Sequence, residues 1–321
     1  MTPHETAESG LSPDTAFSLV ADETRLGILR TLAKAGEPLA FSTLFEHSEY
    51  DTRSNFSYHL DKLEGHFVSR TDEGYALRQT GRRVVEAVVS GTVADDPVVE
   101  RTPTDRPCPF CSAQVEVSYE QERVEMYCTE CPGIFRETDS GEQFATEFGT
   151  LGAISLPPAG VERRDPAAMF TAARAWSNID VLAASAGICS RCSGVVEHSM
   201  TVCRDHDASE GPCDRCDRRY AVLFEVACSH CHFEQDGIAI VCLLGTTELL
   251  SFVTDYGANP LRPETHDVAP GALANYEEEI RSHDPFEVAL SFTIRDETLT
   301  LTVDEDVSVV DATRERTSES V

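Results

Sequence analysis

"CSRCSGVVEHSMTVCRDHDASEGPCDRCDRRYAVLFEVACSHC", residues 189–231, holds seven cysteines and three histidines. Three Cys-x-x-Cys pairs stand out: Cys189/Cys192, Cys213/Cys216 and Cys228/Cys231. A structural zinc ion takes four ligands, so three pairs leave one pair without a partner. The residues between the pairs bear on the sharing. "SGVVEHSMTV" (193–202) has no turn residue after Gly194 and reads as one strand. At about 3.3 Å per residue it carries the chain about 25 Å from the first pair. "DHDASEGPC" (205–213) is a turn, and "RRYAVLFEVAC" (218–228) is a second unbroken strand that runs back beside the first.

An antiparallel hairpin of that length brings the outer pairs together and the inner ones together. Cys189, Cys192, Cys228 and Cys231 form one site. At the other end Cys213 and Cys216 meet Cys203 and the residue three positions later, His206. Sequential pairing (189/192 with 203/206, 213/216 with 228/231) is the alternative, and it requires a reversal inside each strand. Sites closed by four protein ligands fold a chain rather than catalyse a reaction. His198, His230 and His232 fall outside both ligand sets. Cys242, inside the apolar run "IAIVCLLG" (238–245), reads as a core thiol on a buried strand.

A further cysteine group lies upstream. "CPFCSAQVEVSYEQERVEMYCTECPG" (108–133) sets Cys108/Cys111 and Cys128/Cys131 on either side of a strand, turn and strand. The hairpin returns both pairs to one end, a zinc-ribbon arrangement. Disulfides are a poor reading in a reducing cytoplasm, and no thioredoxin-like βαβ setting surrounds the pairs. The expected cofactors are three structural Zn2+ ions.

Composition bounds the rest. The chain has 321 residues, 41% hydrophobic and 26% charged, which is a globular balance with room for several domains. "MTPHETAESGLSPD" has neither a basic patch nor an apolar core, and no apolar run near the cysteines spans a bilayer, so a soluble cytoplasmic protein without membrane contact is expected. The formal charge is −30, with Lys34 and Lys62 the only lysines. Such a surface suits a salt-rich cytoplasm, where charge is screened within about 3 Å at 1 M salt, so net charge argues little about partners. Its distribution says more. Residues 1–92 carry nine basic against 14 acidic residues, and the other 229 carry 17 against 42.

The less acidic segment is periodic. Ser12-Pro13 is a helix start, and "PDTAFSLVADETRLGILRTLAKAG" (13–36) aligns Phe17, Val20, Leu26, Leu29 and Leu32 on one face. Asp22 caps a second helix that Gly36 ends. "PLAFSTLFEHSE" (38–49) gives a third. "DTRSNFSYHLDKLEGHFV" (51–68) gives a fourth, with Phe56, Leu60, Leu63 and Phe67 on one stripe. Two short strands turn at Asp72–Gly74, and "GRRVVEAVVSG" (81–91) closes the unit.

"ADETRLGILRTLA" (21–33), "FSYHLDKLEGHFV" (56–68) and "TGRRVVEAVVSGT" (80–92) occur in order, and residues 12–92 resemble the ArsR-type winged helix–turn–helix regulators, notably haloarchaeal ones. The resemblance implies a homodimer on double-stranded DNA, with the fourth helix in the major groove and the wing on the flanking backbone. Carried over, the groove-facing positions are Arg53, Ser54, Asn55, Ser57, Tyr58 and Lys62, with Arg70 and Arg78 on the wing. Arg and Asn can read guanine and adenine edges; Ser and Tyr suit phosphates. Asp61 on the same face repels DNA. The bland reading of these positions is a solvated helix face. The metal-sensing cysteines of some family members are not matched, since residues 1–92 contain no Cys.

The expected fold class is α+β and multidomain: a winged helix–turn–helix at 12–92, a linker at 93–107, a zinc ribbon at 108–136, a helical connector at 137–188, a double-zinc hairpin at 189–235 and a mixed α/β region at 236–313. The connector should hold a helix from Pro166 to about Ala184, and "TTELLSFVTDYGANP" (246–260) another, closed by Gly257. "GALANYEEEIRS" (271–282) reads as short helix or loop. "FEVALSFTIRDETLTLTVDEDVSVV" (286–310) alternates as a hairpin with room for a third strand, and "DATRERTSES" (311–320) reads as a frayed tail. This C-terminal order resembles, more loosely, the C-terminal halves of haloarchaeal regulators.

No phosphate loop, nucleophile elbow or carboxylate–His constellation is present, so a non-enzymatic role is expected. The leading reading is a DNA-binding transcriptional regulator whose zinc-stabilised C-terminal region senses or oligomerises. The alternative is an accessory factor that contacts the archaeal transcription machinery, RNA polymerase above all, through winged helix and ribbon. An adaptor that handles RNA or protein through its ribbons is a third.

Overall fold

The computed structural model describes residues 11–48, 52–92, 96–136, 149–209, 211–263 and 269–316. The chain is mixed α/β with several small antiparallel sheets, and it divides into two compact units, Met1–Asp95 and Asp96–Val321. No helix among the described residues is long and apolar enough to cross a membrane.

In the first unit helices α1 (Pro13–Val20), α2 (Glu23–Ala35), α3 (Phe41–Glu46) and α4 (Arg53–Leu63) precede a hairpin, β1 (Val68–Thr71) and β2 (Gly74–Leu77), and a closing helix α5 (Gln79–Val89). The helix ends follow the local chemistry. Ser12 accepts the Thr15 N–H, Asp22 accepts the Arg25 N–H at 3.1 Å, and Gly36 ends α2 in the left-handed region at φ +71°. Leu29, Phe56, Leu60 and Leu63 are fully buried, with Ile28, Leu32, Leu44, Phe67, Val68, Tyr75 and Val85 around them. Phe17 departs from the expected core face: it is 73% exposed, because α1 buries none of its residues. A short pairing extends the hairpin, with Leu39 and Tyr75 exchanging N–H···O bonds of 2.9 and 2.8 Å. A Cβ at Gly74 would stand 2.3 Å from the Leu39 carbonyl oxygen, so only glycine permits that approach.

The described residues of the second unit form three sheets. The first, in the order β3 (Val99–Pro107), β4 (Gln114–Glu120), β5 (Arg123–Cys128), β6 (Thr150–Ser155), is antiparallel throughout. Residues 99–107, expected to lie in a linker, form β3. Their lack of alternation reflects an edge strand with two register shifts beside β4. β6 falls where a helical connector was expected, and residues 137–148 of that segment lie outside the described residues. Helix α6 (Pro166–Ser185) is capped by Asp165, which accepts the Ala168 N–H at 2.8 Å. Met169, Phe170 and Ala173 at its start pack on Val117, Tyr119 and Val124 of the first sheet. Val181 and Ala184 at its end join the larger core.

That core covers the second sheet, β7 (Val196–Val202), β8 (Val222–Cys228) and β9 (Glu234–Gly237), and one face of the third. "IAIVCLLG" corrects the sequence reading: Ile240–Leu243 is a short helix, α7, with Ala239, Val241, Cys242, Leu243 and Leu244 all buried. A run that is apolar at every position carries no period, so it fits a buried helix as well as a buried strand. Helix α8 (Thr247–Asp255) ends before Gly257 at φ +80°. After α9 (Ala269–Ala274) the chain forms a four-stranded meander, β10 (Glu277–His283), β11 (Phe286–Ile294), β12 (Glu297–Asp304) and β13 (Val309–Arg316). "GALANYEEEIRS" is thus helix and then strand. The expected frayed tail is, through Arg316, an edge strand held by Arg314, whose guanidinium meets Asp255 at 2.9 Å and Glu297 at 3.2 Å.

Candidate metal centres

Among the described residues, three groups of four ligand atoms each gather within 4.8 Å of one another: Cys108/Cys111/Cys128/Cys131, Cys189/Cys192/Cys228/Cys231 and Cys203/His206/Cys213/Cys216. The β4–β5 hairpin closes the first. The register Val196↔Cys228 to Val202↔Val222 places the second at one end of the β7–β8 hairpin and the third at the other. The grouping is nested, and the sequential alternative is excluded.

The distances suit one tetrahedral ion per group. Sulfurs about 2.3 Å from zinc stand about 3.8 Å apart along the edges of a tetrahedron. Here Cys108–Cys131 and Cys189–Cys231 are 3.6 Å apart, Cys192–Cys228 3.5 Å and Cys111–Cys128 3.4 Å. All twelve cysteines are free, and a disulfide needs a separation of about 2.05 Å.

One backbone device recurs. The N–H of Cys108, Cys189, Cys213 and Cys228 donates to the carbonyl five residues later, Ala113, Gly194, Arg218 and Phe233, at 2.7–2.9 Å. At the first three, Ser112, Ser193 and Asp217 take positive φ just after the second cysteine of the pair. That turn aims backbone N–H groups at sulfur: Phe110 donates to Cys108 Sγ at 3.5 Å, Gly194 to Cys192 at 3.3 Å, and His230 and Cys231 to Cys228 at 3.4 Å. The Cys231 and His230 N–H groups pull the Cys228 thiol down to about 6, and those of Asp207 and Arg215 do the same for Cys213. Thiolate is the ligating form, which these N–H groups favour at both sulfurs, while burial raises the Cys203 thiol of the third centre.

His206 enters the third centre on equal terms. Its Nε2 lies 2.9 Å from the Arg219 carbonyl oxygen, which can only accept. Nε2 therefore carries the proton, and Nδ1, 3.5 Å from Cys216 Sγ, keeps its lone pair for a metal. Cys242 stays outside. It is buried in α7, donates to the Glu225 carbonyl oxygen at 3.7 Å, and burial pushes its thiol up to about 12.

The first and third centres are tied together. Arg219 N–H donates to the Ile134 carbonyl at 2.7 Å, Arg136 N–H to Asp217 at 2.8 Å, and the Arg219 Nε to Gly133 at 2.9 Å. The Arg219 guanidinium also lies 4.1 Å from the centre of the Phe110 ring, within the Cys108–Cys111 turn. Nothing local in the sequence marks this junction. Its only trace is an arginine beside one cysteine pair and an aromatic residue inside another.

Residues 105–309, which contain all three centres, match the family model of DUF7351, a domain of unknown function. The chain belongs to the DUF7351 family. Upstream of that region, residues 13–88 match a second model, DUF7347, likewise a domain of unknown function. No curated protein and no solved structure matches the chain.

The DUF7351 region thus carries every metal ligand read from the sequence. The other singled-out residues all lie in the first unit. Arg53, Ser54, Asn55, Tyr58 and Lys62 are exposed on α4, Ser57 is half-buried, and Arg70 on β1 and Arg78 at the start of α5 are exposed. Arg53 lies 5.6 Å from the Phe45 ring, Lys62 5.5 Å from Tyr58 and Arg70 5.7 Å from Tyr75, contacts that leave the charged groups toward water.

Proposed function

We propose that this chain is a DNA-binding transcriptional regulator: an ArsR-like winged helix, working as a homodimer, joined to a DUF7351 region folded around three structural zinc ions. The division of α4 carries the reading. Phe56, Leu60 and Leu63 are fully buried on one side, while Arg53, Asn55, Tyr58 and Lys62 are exposed on the other. In this reading α4 enters the major groove, where Arg53 and Asn55 are placed to read base edges, and Arg70 and Arg78 grip flanking phosphates. Asp61, also exposed, opposes the phosphates, and a salt-rich cytoplasm screens that repulsion. Zinc is the metal that four closed thiolate and imidazole ligands select, and its role in such a site is to fold the chain.

Footprinting at high salt on the protein's own upstream DNA tests the reading. A sequence-specific footprint is expected from the wild type and should vanish in Arg53→Ala or Asn55→Ala. Co-purification with RNA polymerase and no footprint would replace it with the accessory-factor role. Metal analysis should return three zinc ions per chain and two in His206→Ala; one or two in the wild type would refute the scheme.

A further inference from the structure

A cleft of about 410 Å³ opens in the second unit between two strand edges, β6 on one wall and β9 on the other. Its volume lies within the range of small-molecule sites. The two walls differ in charge. Ser155 on β6, its β5 partner Arg123 and Arg191 from the Cys189–Cys192 turn line one wall, and Glu234 and Asp236 on β9, with His232 just before them, line the other. Phe233 supplies apolar surface.

Arg191 is held in place before any ligand arrives. Asp180, near the C-terminal end of α6 and 4% exposed, accepts from Arg191 Nη2 at 3.1 Å and from Ser155 Oγ at 3.2 Å. The Phe233 ring centre lies 5.9 Å from the guanidinium. Asp180 is buried but Arg191 is partly exposed, so the pair is a weak source of stability and is better explained by the orientation it imposes. Asp180 engages one guanidinium nitrogen, so the others are left for a ligand. Arg123 has no ion-pair partner among the described residues.

The strand edges add polar groups of their own. Leu156 N–H donates to the Glu122 carbonyl at 2.9 Å, so the alternation of the ladder turns the backbone groups of Ala153 and Ser155 away from β5. Cys228 N–H to the Phe233 carbonyl at 2.9 Å fixes the same alternation on β9 and turns those of Glu234 and Asp236 outward.

We propose that this cleft binds a small zwitterion, an α-amino acid with an apolar side chain. Its carboxylate sits on Arg191 and Arg123. Its ammonium group sits on Glu234 and Asp236, and its side chain lies along Phe233. A simple anion would satisfy only one wall and be repelled by the other. In a regulator such a ligand is the signal; its binding stands or falls without the DNA reading. Because the Cys189–Cys192 turn supplies Arg191, binding also depends on metal in that centre.

Isothermal titration of the full, metal-loaded chain with the twenty amino acids, without DNA, tests the proposal. At least one apolar amino acid should bind. Its deaminated acid and its decarboxylated amine, for leucine 4-methylpentanoate and 3-methylbutylamine, should each bind at least about tenfold more weakly, since each lacks one charge-assisted contact. Arg191→Gln and Glu234→Gln should each weaken binding by a similar factor with the zinc content unchanged, which separates loss of the site from loss of the fold. Absence of binding by all twenty overturns the proposal. So do equal affinity for the deaminated acid, wild-type affinity in Arg191→Gln, and binding only of an extended peptide.

Discussion

The two units reach a stable core by different means. Residues 11–92 contain no cysteine and bury a continuous apolar cluster, with Leu29, Phe56, Leu60 and Leu63 wholly out of water. The second unit is larger and also has a broad apolar core, and its two ribbon-like hairpins set their ligand groups at the edges of buried clusters. At those edges four thiolates, or three and an imidazole, stand where side-chain packing would otherwise be needed. A helix face can store its folding energy in its own sequence; a hairpin tip can draw it from an ion held by its ligand groups.

The comparison breaks most visibly if metal is removed. A structural zinc contributes about 10–16 kcal/mol of apparent binding energy at neutral pH, more than a domain's net stability. Chelation is expected to abolish protection from proteolysis across residues 99–316 and leave the first unit's protected core intact. Survival of the second unit without metal would erase the distinction. Acid should act in the same direction, because each ligating thiolate must take up a proton as metal leaves.

The reverse experiment is smaller. Phe56→Ala empties a fully buried aromatic site and should cost the first unit about 3–5 kcal/mol in denaturant unfolding. Zinc content should remain at three per chain. Smaller again is Arg219→Ala, which removes the Phe110 contact and the bond to the Gly133 carbonyl, about 1–2 kcal/mol together. Metal release should quicken at the first and third centres and stay unchanged at Cys189/Cys192/Cys228/Cys231. Equal acceleration at all three would dissolve the proposed junction.

The smallest effect concerns a helix cap. Asp22→Ala should destabilise the first unit by about 1 kcal/mol. Burial pushes the Asp22 carboxyl up, but the Arg25 N–H, His59 and the Arg25 guanidinium outweigh it and hold it below its ordinary 3.8. A lowered carboxyl stabilises the fold above the unfolded value and loses that contribution as pH falls through the folded one. The difference between wild type and variant, measured by thermal unfolding, should therefore shrink below about pH 4.

Much of this was legible in short-range pattern. Ser12, Asp22 and Gly36 act within one helical turn, so their roles can be read from immediate neighbours. The nested metal centres were legible too, because an unbroken strand has a fixed rise and Cys203-x-x-His206 has the spacing of a ligand pair. Where local pattern was silent, pairing decided. Val99–Pro107 lacks alternation and is a strand only because β4 lies beside it. Val309–Arg316 is exposed along nearly its whole length and owes its order to β12 and to Arg314.

By itself, then, the sequence determined the helix caps, the buried stripe of α4 and which twelve side chains gather into three centres, since each depends on spacing along one chain segment. The tertiary structure alone decided that "IAIVCLLG" coils as α7, that Arg219 bridges two centres across eighty-six residues to Gly133, and that Asp180 anchors Arg191 beside a cleft. Those outcomes depend on what lies opposite each residue, and spacing along the chain does not encode that.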